Sequence, residues 1–157
     1  MNPKELLQSA ETILVIDWPS KEVPETLVLA GLHVVVRGGP GPEDYSTYRI
    51  NKNEANDGKA VARETGRGPE RADLIYSYRP LDELPEIVAT AKSLGARAIW
   101  SQSGLVADGI QDAEGCWVGD EELRRARDLV ESAGLQLITE PYIGDVARSL
   151  RTHHGRT

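Results

Sequence analysis

A chain of 157 residues with 39% apolar side chains, one Cys and no Phe is long enough to bury a substantial core without disulfides or a structural metal. Its net charge of −7 and pI near 5 lack the basic footprint of a nucleic-acid binder or of a protein drawn to anionic membranes. Its apolar runs fall well short of the roughly 20 residues that span a bilayer, no basic stretch followed by an apolar one opens the chain, and the lone Cys116 suits a reducing compartment, so a cytoplasmic location is expected.

In chain order, the first strand is predicted at residues 12–16, followed by the loop Asp17-Trp18-Pro19-Ser20-Lys21-Glu22-Val23 and a helix start near Pro24. That helix ends in Leu29-Ala30-Gly31, and the strand 33–37 follows at once. Residues 38–72 are rich in Gly, Pro, Asn and mixed charge, with one short strand expected near 48–51 or 59–63. A strand at 73–78 leads to a helix that Asp82 is expected to cap, with Glu83 and Pro85 in its first turn. Its apolar face is Leu84, Ile87, Val88 and Ala91, and it ends in Leu94-Gly95 before a strand at 97–101. Residues 104–119 form an irregular stretch too long for an ordinary connection. Asp120 is expected to cap the next helix, with Glu121 and Glu122 in its first turn. Leu123, Ala126, Val130 and Ala133 line one face, while Arg124 with Asp128 and Arg127 with Glu131 form i,i+4 pairs on the other. Ala133-Gly134 ends this helix, and the last strand is 136–139.

The helix, Gly, strand unit thus occurs three times, and Gly just past a helix takes the left-handed conformation at little cost. Alternating strands and helices imply parallel βαβ units. The expected fold is a Rossmann-like, doubly wound α/β domain over residues 1–150, with a mainly parallel sheet of five or six strands and helices on both faces. Residues 151–157, with His153 and His154, read as a polar tail.

Ligands of such sheets bind beyond the carboxyl ends of the strands, at the switch point in strand order. Neither Gly-x-Gly-x-x-Gly after the first strand nor a P-loop is present. Two readings of the first loop stand side by side: a plain loop with a helix cap, or a phosphate seat made by Ser20, Lys21 and the helix start. Arg37 with Gly38 and Gly39 is likewise either a flexible turn with a surface arginine or a seat for a ribose phosphate. Catalytic constellations are thin, because Cys116 lacks a neighbouring His, His33 begins a strand, and no set of residues has metal-ligand spacing. Asp17, at the end of the first strand, is either a carboxylate at a functional position or a cap of its loop. Charge is uneven: residues 1–123 hold 12 basic and 21 acidic side chains, against 6 and 4 in residues 124–157.

The run Ala72-Asp73-Leu74-Ile75-Tyr76-Ser77-Tyr78-Arg79-Pro80, then Leu84-Pro85-Glu86-Ile87-Val88, then Leu94-Gly95-Ala96-Arg97-Ala98-Ile99-Trp100-Ser101-Gln102-Ser103-Gly104 resembles the small stand-alone CoA-binding domain family, related to the CoA-binding domain of the succinyl-CoA synthetase α-subunit. Residues 122–138 are similar to that family's last helix and strand. The resemblance implies a Rossmann-like domain that holds the ADP part of CoA across the strand ends, with Arg79 and Pro80 lining the pocket, Gln102, Ser103 and Gly104 nearby, and the first loop receiving phosphates. That loop departs from the family pattern of Gly and Ser with a downstream Arg-Pro, its Asp17 and Glu22 putting negative charge where pyrophosphate would rest, partly offset by Ser20 and Lys21, and Arg37-Gly38-Gly39-Pro40 replaces the usual Asn-Pro.

The expected function is non-catalytic binding of CoA or acyl-CoA, a small nucleotide-type ligand, with neither nucleic acid nor membrane as partner. Its expected contacts are Asp17, Trp18, Ser20, Lys21, Arg37, Gly38, Gly39, Tyr78, Arg79, Pro80, Gln102, Ser103 and Gly104. Two alternatives remain. One is an interaction module on a degenerate scaffold, contacting a partner or a second copy of itself as a homodimer through residues 104–119 and Trp117. The other is an enzyme acting on a thioester or nucleotide with Asp17 as acid or base.

Overall fold

The computed structural model describes residues 2–16, 22–37, 45–50, 61–66, 68–79, 81–102, 120–140 and 142–154. In chain order the elements are α1 (Pro3–Ser9), β1 (Thr12–Ile16), α2 (Glu22–Leu29), β2 (His33–Arg37), β3 (Tyr45–Ile50), β4 (Val61–Gly66), β5 (Leu74–Ser77), a 3-10 turn (Leu81–Glu83), α3 (Leu84–Leu94), β6 (Ala98–Ser101), α4 (Asp120–Ser132), β7 (Gln136–Ile138) and α5 (Ile143–His154). The seven strands form one sheet in the order β4-β3-β2-β1-β5-β6-β7. The five strands from β2 to β7 across the middle run parallel, and β3 and β4 add an antiparallel edge. This is the doubly wound α/β architecture, with one strand more than the sequence led us to expect.

The extra strand has a simple origin. Both candidate strand positions between residues 38 and 72 are strands, paired from Tyr45↔Gly66 to Ile50↔Val61 as a hairpin. Their alternation is weak because the pair lies at the sheet's edge, where a continuous apolar pattern is not required.

The parallel strands are buried on both faces, so their sequences are nearly unbroken apolar runs. In β1, Ile13 and Val15 point into one core layer, while Leu14 and Ile16 point into the other. The first layer is covered by Leu6 and Leu7 of α1, Val23 and Leu27 of α2, and Ile143, Val146, Ala147 and Leu150 of α5. It also takes Tyr76 and Trp100, which are fully buried and supply bulk in a chain without Phe. The second layer is covered by Leu84, Ile87 and Ala91 of α3 and Ala126 and Val130 of α4, the helical faces expected from their spacing.

The three helix-ending glycines all have positive φ: Gly31 at 102°, Gly95 at 74° and Gly134 at 81°. Each turn closes in the same way. The glycine N–H donates three residues back, to Val28, Lys92 and Glu131, and the next N–H donates five back, to Leu27, Ala91 and Val130. These are Schellman motifs, which satisfy the last carbonyls of the helix and drop the chain directly into the next strand.

Several local expectations change. The chain enters α3 through the 3-10 turn, and Glu83, not Asp82, takes the N-cap position, without a capping bond from its side chain. Asp120 is the first residue of α4. On α4 the ion pair is Arg125 with Glu121, at 2.8 Å, and Arg127 reaches across to donate to the Leu137 carbonyl at 3.1 Å. The supposed tail is helical through His154 as the end of α5. Helix α1 was not foreseen. Asn2 caps it by accepting from the Glu5 N–H at 2.8 Å, and Glu5 returns the contact by accepting from the Asn2 side chain at 2.7 Å. Among the described residues no helix is long and apolar enough to cross a membrane.

Candidate functional site

Strand order reverses between β1 and β5: from β1 the chain winds outward to β2, and from β5 it winds the other way through β6 to β7. A crevice opens at the carboxyl ends of such neighbours because their following loops depart in opposite directions. Register fixes what faces it. Ile16, the last residue of β1, pairs with Arg37 on one side and Ser77 on the other, and Ser77 pairs with Ser101. The ends of β2, β1, β5 and β6 therefore stand in one row.

Beyond that row the backbone continues in step, with the Tyr78 N–H donating to the Ile16 carbonyl and the Gln102 N–H to the Ser77 carbonyl, each at 3.0 Å. Ser77 is fully buried, and its hydroxyl accepts from the Arg79 N–H at 3.1 Å. Such a side-chain turn sets the direction of the chain two residues on, so the root of Arg79 is held rigidly. Its guanidinium then meets Glu83, with Nε 3.1 and 3.0 Å from the two carboxylate oxygens and Nη2 2.6 Å from one of them. The hydrogen bonds and charge of Arg79, assisted by the charge of Arg37, hold the Glu83 carboxyl below the usual glutamate range against a smaller opposing effect of burial. Glu83 is thus bonded by Arg79, while Arg37, at the end of β2, adds only the longer-range effect of its charge.

Gln102 has a different task. It is 4% exposed, its amide nitrogen donates to the Thr139 carbonyl at 3.1 Å, and its amide oxygen accepts from the Ile143 N–H at 2.9 Å. One side chain therefore ties the end of β6 to the loop after β7 and serves the first N–H of α5, 41 residues away. Beside it, Tyr142 packs over Gly144, where a Cβ would stand 2.6 Å from the ring. The crevice wall on this side is built tightly.

Of the residues chosen from sequence, Arg37 and Arg79 stand at the ends of the strands on either side of β1, Gln102 is a strut of the wall, and Tyr78 packs against the α1, α2 and α5 core layer. Asp17, Trp18, Ser20, Lys21, Gly38, Gly39, Pro80, Ser103 and Gly104 lie outside the described residues, as do Cys116, Trp117 and the 104–119 stretch. Glu83 and Ser77 were missed as site residues. The spacing of Arg79 and Glu83 was a visible signal, hidden by assigning Glu83 to the helix cap. Nothing in the sequence marks Ser77, whose role depends on a turn.

Among the described residues, two hollows lie away from the row of strand ends. One, of about 330 Å³, sits among α1, α5 and the turn after α2, next to Gly31. The other, about 280 Å³, runs between the 3-10 turn and α4, with Leu129 on its rim. Among the described residues no three His, Cys, Asp or Glu side chains gather as a metal site.

Comparison with known proteins bears on this arrangement. A family model described as a CoA binding domain matches residues 17–144, a span that starts just after β1 and includes Arg37, Ser77, Arg79, Glu83 and Gln102. A solved structure titled "The structure of cell-free ID.343 from Thermus thermophilus" is similar, with a TM-score of 0.51 at 20% identity, covering 96% of this chain and 99% of that one. At that identity the likeness speaks for the fold. No curated protein matches the chain.

Proposed function

This chain belongs to the CoA binding domain family, and on that premise we propose that it binds CoA or an acyl-CoA, in the cytoplasm, without transforming it. The ADP part lies across the carboxyl ends of β2, β1 and β5. Arg37 pairs the ribose phosphate, Arg79 meets the pyrophosphate side, and the loops bearing Asp17, Trp18, Ser20 and Lys21, and Gly38 and Gly39, close around them. Pro80, Ser103 and Gly104 line the pocket, Tyr78 backs it, and Gln102 holds its wall. The observation that carries this reading is the placement of Arg37 and Arg79 at the carboxyl ends of the two strands that flank β1, at the switch point of a family member. Planar guanidinium groups suit phosphate oxygens, and two of them give local positive charge in a chain of net charge −7.

Thermal-shift titrations with CoA, dephospho-CoA, NAD and ATP test the proposal. Saturable stabilisation by CoA is expected, reaching about 2.7 kcal/mol at a hundredfold excess over Kd. Arg37→Ala should weaken CoA about tenfold or more and leave dephospho-CoA, which lacks the ribose phosphate, nearly unaffected. A flat response to CoA overturns the function, and equal losses for both ligands overturn the role of Arg37.

A further inference from the structure

We propose that Glu83 is the resident counter-anion of Arg79 at the β1/β5 switch point, and that a phosphate-bearing ligand binds by taking Arg79 from it. The proposal rests on the CoA reading above and deepens it by naming the group that sets the site's affinity.

Geometry leads to it in three steps. Glu83 stands at the N-cap position of α3 but makes no capping bond. Its carboxylate instead takes both Nε and Nη2 of Arg79. A carboxylate on that edge of a guanidinium offers two oxygens in the same plane as a phosphate would, so the acid already fills the position a ligand oxygen pair needs.

Placement is the second step. Arg37 and Ser77 are the two register neighbours of Ile16, and Ser77 anchors the backbone of Arg79. The acid that Arg79 holds therefore sits where strands on both sides of β1 deliver a cation, and Arg37 contributes to keeping it ionised.

The third step is the ease of exchange. The side chains of Arg79 and Glu83 are 40% and 33% exposed, and ion pairs so open to water are weak. Because the Arg79 backbone is fixed by Ser77, only the guanidinium and the carboxylate need to move. A phosphate oxygen pair that takes Nε and Nη2 of Arg79, with the charge of Arg37 at the neighbouring strand end, replaces this exposed contact, and Glu83 turns out to solvent. Among the described residues Glu83 offsets one of the two positive charges that Arg37 and Arg79 bring to these strand ends.

Calorimetric titration of inorganic pyrophosphate and of CoA into the wild type, Glu83→Gln, Arg79→Gln and the double variant tests the idea. Glu83→Gln should bind both probes about two- to fivefold more tightly than wild type, the range of an exposed ion pair, and the gain should vanish when Arg79 is also replaced. A purely structural acid gives unchanged or weaker binding on removal. No gain with either probe, or a gain that survives without Arg79, overturns the proposal. If Glu83→Gln tightens pyrophosphate while CoA binds neither protein, the CoA reading falls and the role of Glu83 stands. Should Glu83→Gln lose cooperative unfolding, Glu83→Ala is judged by the same comparison.

Discussion

The two ends of the parallel sheet use a carboxylate in opposite ways. At the amino ends, one oxygen of Asp73 accepts the N–H groups of Glu11 and Thr12 at 2.8 and 3.0 Å, while the backbone of Asp73 bridges β1 and β6 through Thr12 and Arg97. Burial raises the pKa of this carboxyl, but the two backbone donors and the charges of Arg97 and Arg71 outweigh it and hold the group below the usual aspartate range. At the carboxyl ends, Glu83 is held by the long, half-open side chain of Arg79. The rigidity of the donor separates them. These backbone N–H groups are fixed in place by the chain and cannot turn to another anion, whereas a guanidinium can swing to water or to another anion. One end is therefore a fastening and the other is suited to exchange.

Substitutions can break or sharpen that contrast. Asp73→Ala should have the largest effect, about 2–3 kcal/mol of lost stability in chemical denaturation, because two charge-assisted bonds go at once. Glu83→Gln should cost less than about 1 kcal/mol, and equal costs would end the distinction. The Asp73 contribution also has a pH signature. Its folded pKa is depressed, so the contribution is complete above the unfolded value of about 3.9 and is lost as pH falls toward the folded pKa. The stability gap between wild type and Asp73→Asn should hold from neutral pH to about pH 4 and close below it.

Next in size, Gln102→Ala leaves the buried Ile143 N–H without its acceptor. A loss of about 1–2 kcal/mol is expected, with faster hydrogen exchange at Ile143, and unchanged exchange there would refute the strut. Gly95→Ala should cost about 1 kcal/mol through its φ of 74° alone, since a Cβ there meets nothing within 4 Å. As this turn lies at the amino end of β6, CoA binding should be unaltered by it.

Much of the fold was legible before any coordinates. The bounds of β1 and β2 match the strands expected at 12–16 and 33–37, because a strand buried on both faces has to be apolar throughout. The amphipathic spacing of α3 and α4 and the glycine after each helix were equally plain. Two helices were overlooked although their signals are present. Asn2-Pro3-Lys4-Glu5 holds a cap, a first-turn proline and a reciprocal acid, and Ile143, Val146, Ala147 and Leu150 repeat at helical spacing in a stretch after the last strand to which no element was assigned. The edge hairpin was unclear because its two strands complete each other's hydrogen bonds, and pairing leaves little trace in either segment alone.

By itself the sequence determined the alternation of helix and strand, the three left-handed turns and the two-faced core. These depend on the periodicity and conformational preferences of neighbouring residues. Only the tertiary structure decided that Arg37, 42 residues before Arg79, ends the strand on the other side of β1, that Gln102 serves α5, and that Asp73 fastens β1. Those assignments depend on which strands become neighbours and in what register. Any exposed arginine or buried glutamine has the same local chemistry, and its work is set by the group that folding places within 3 Å.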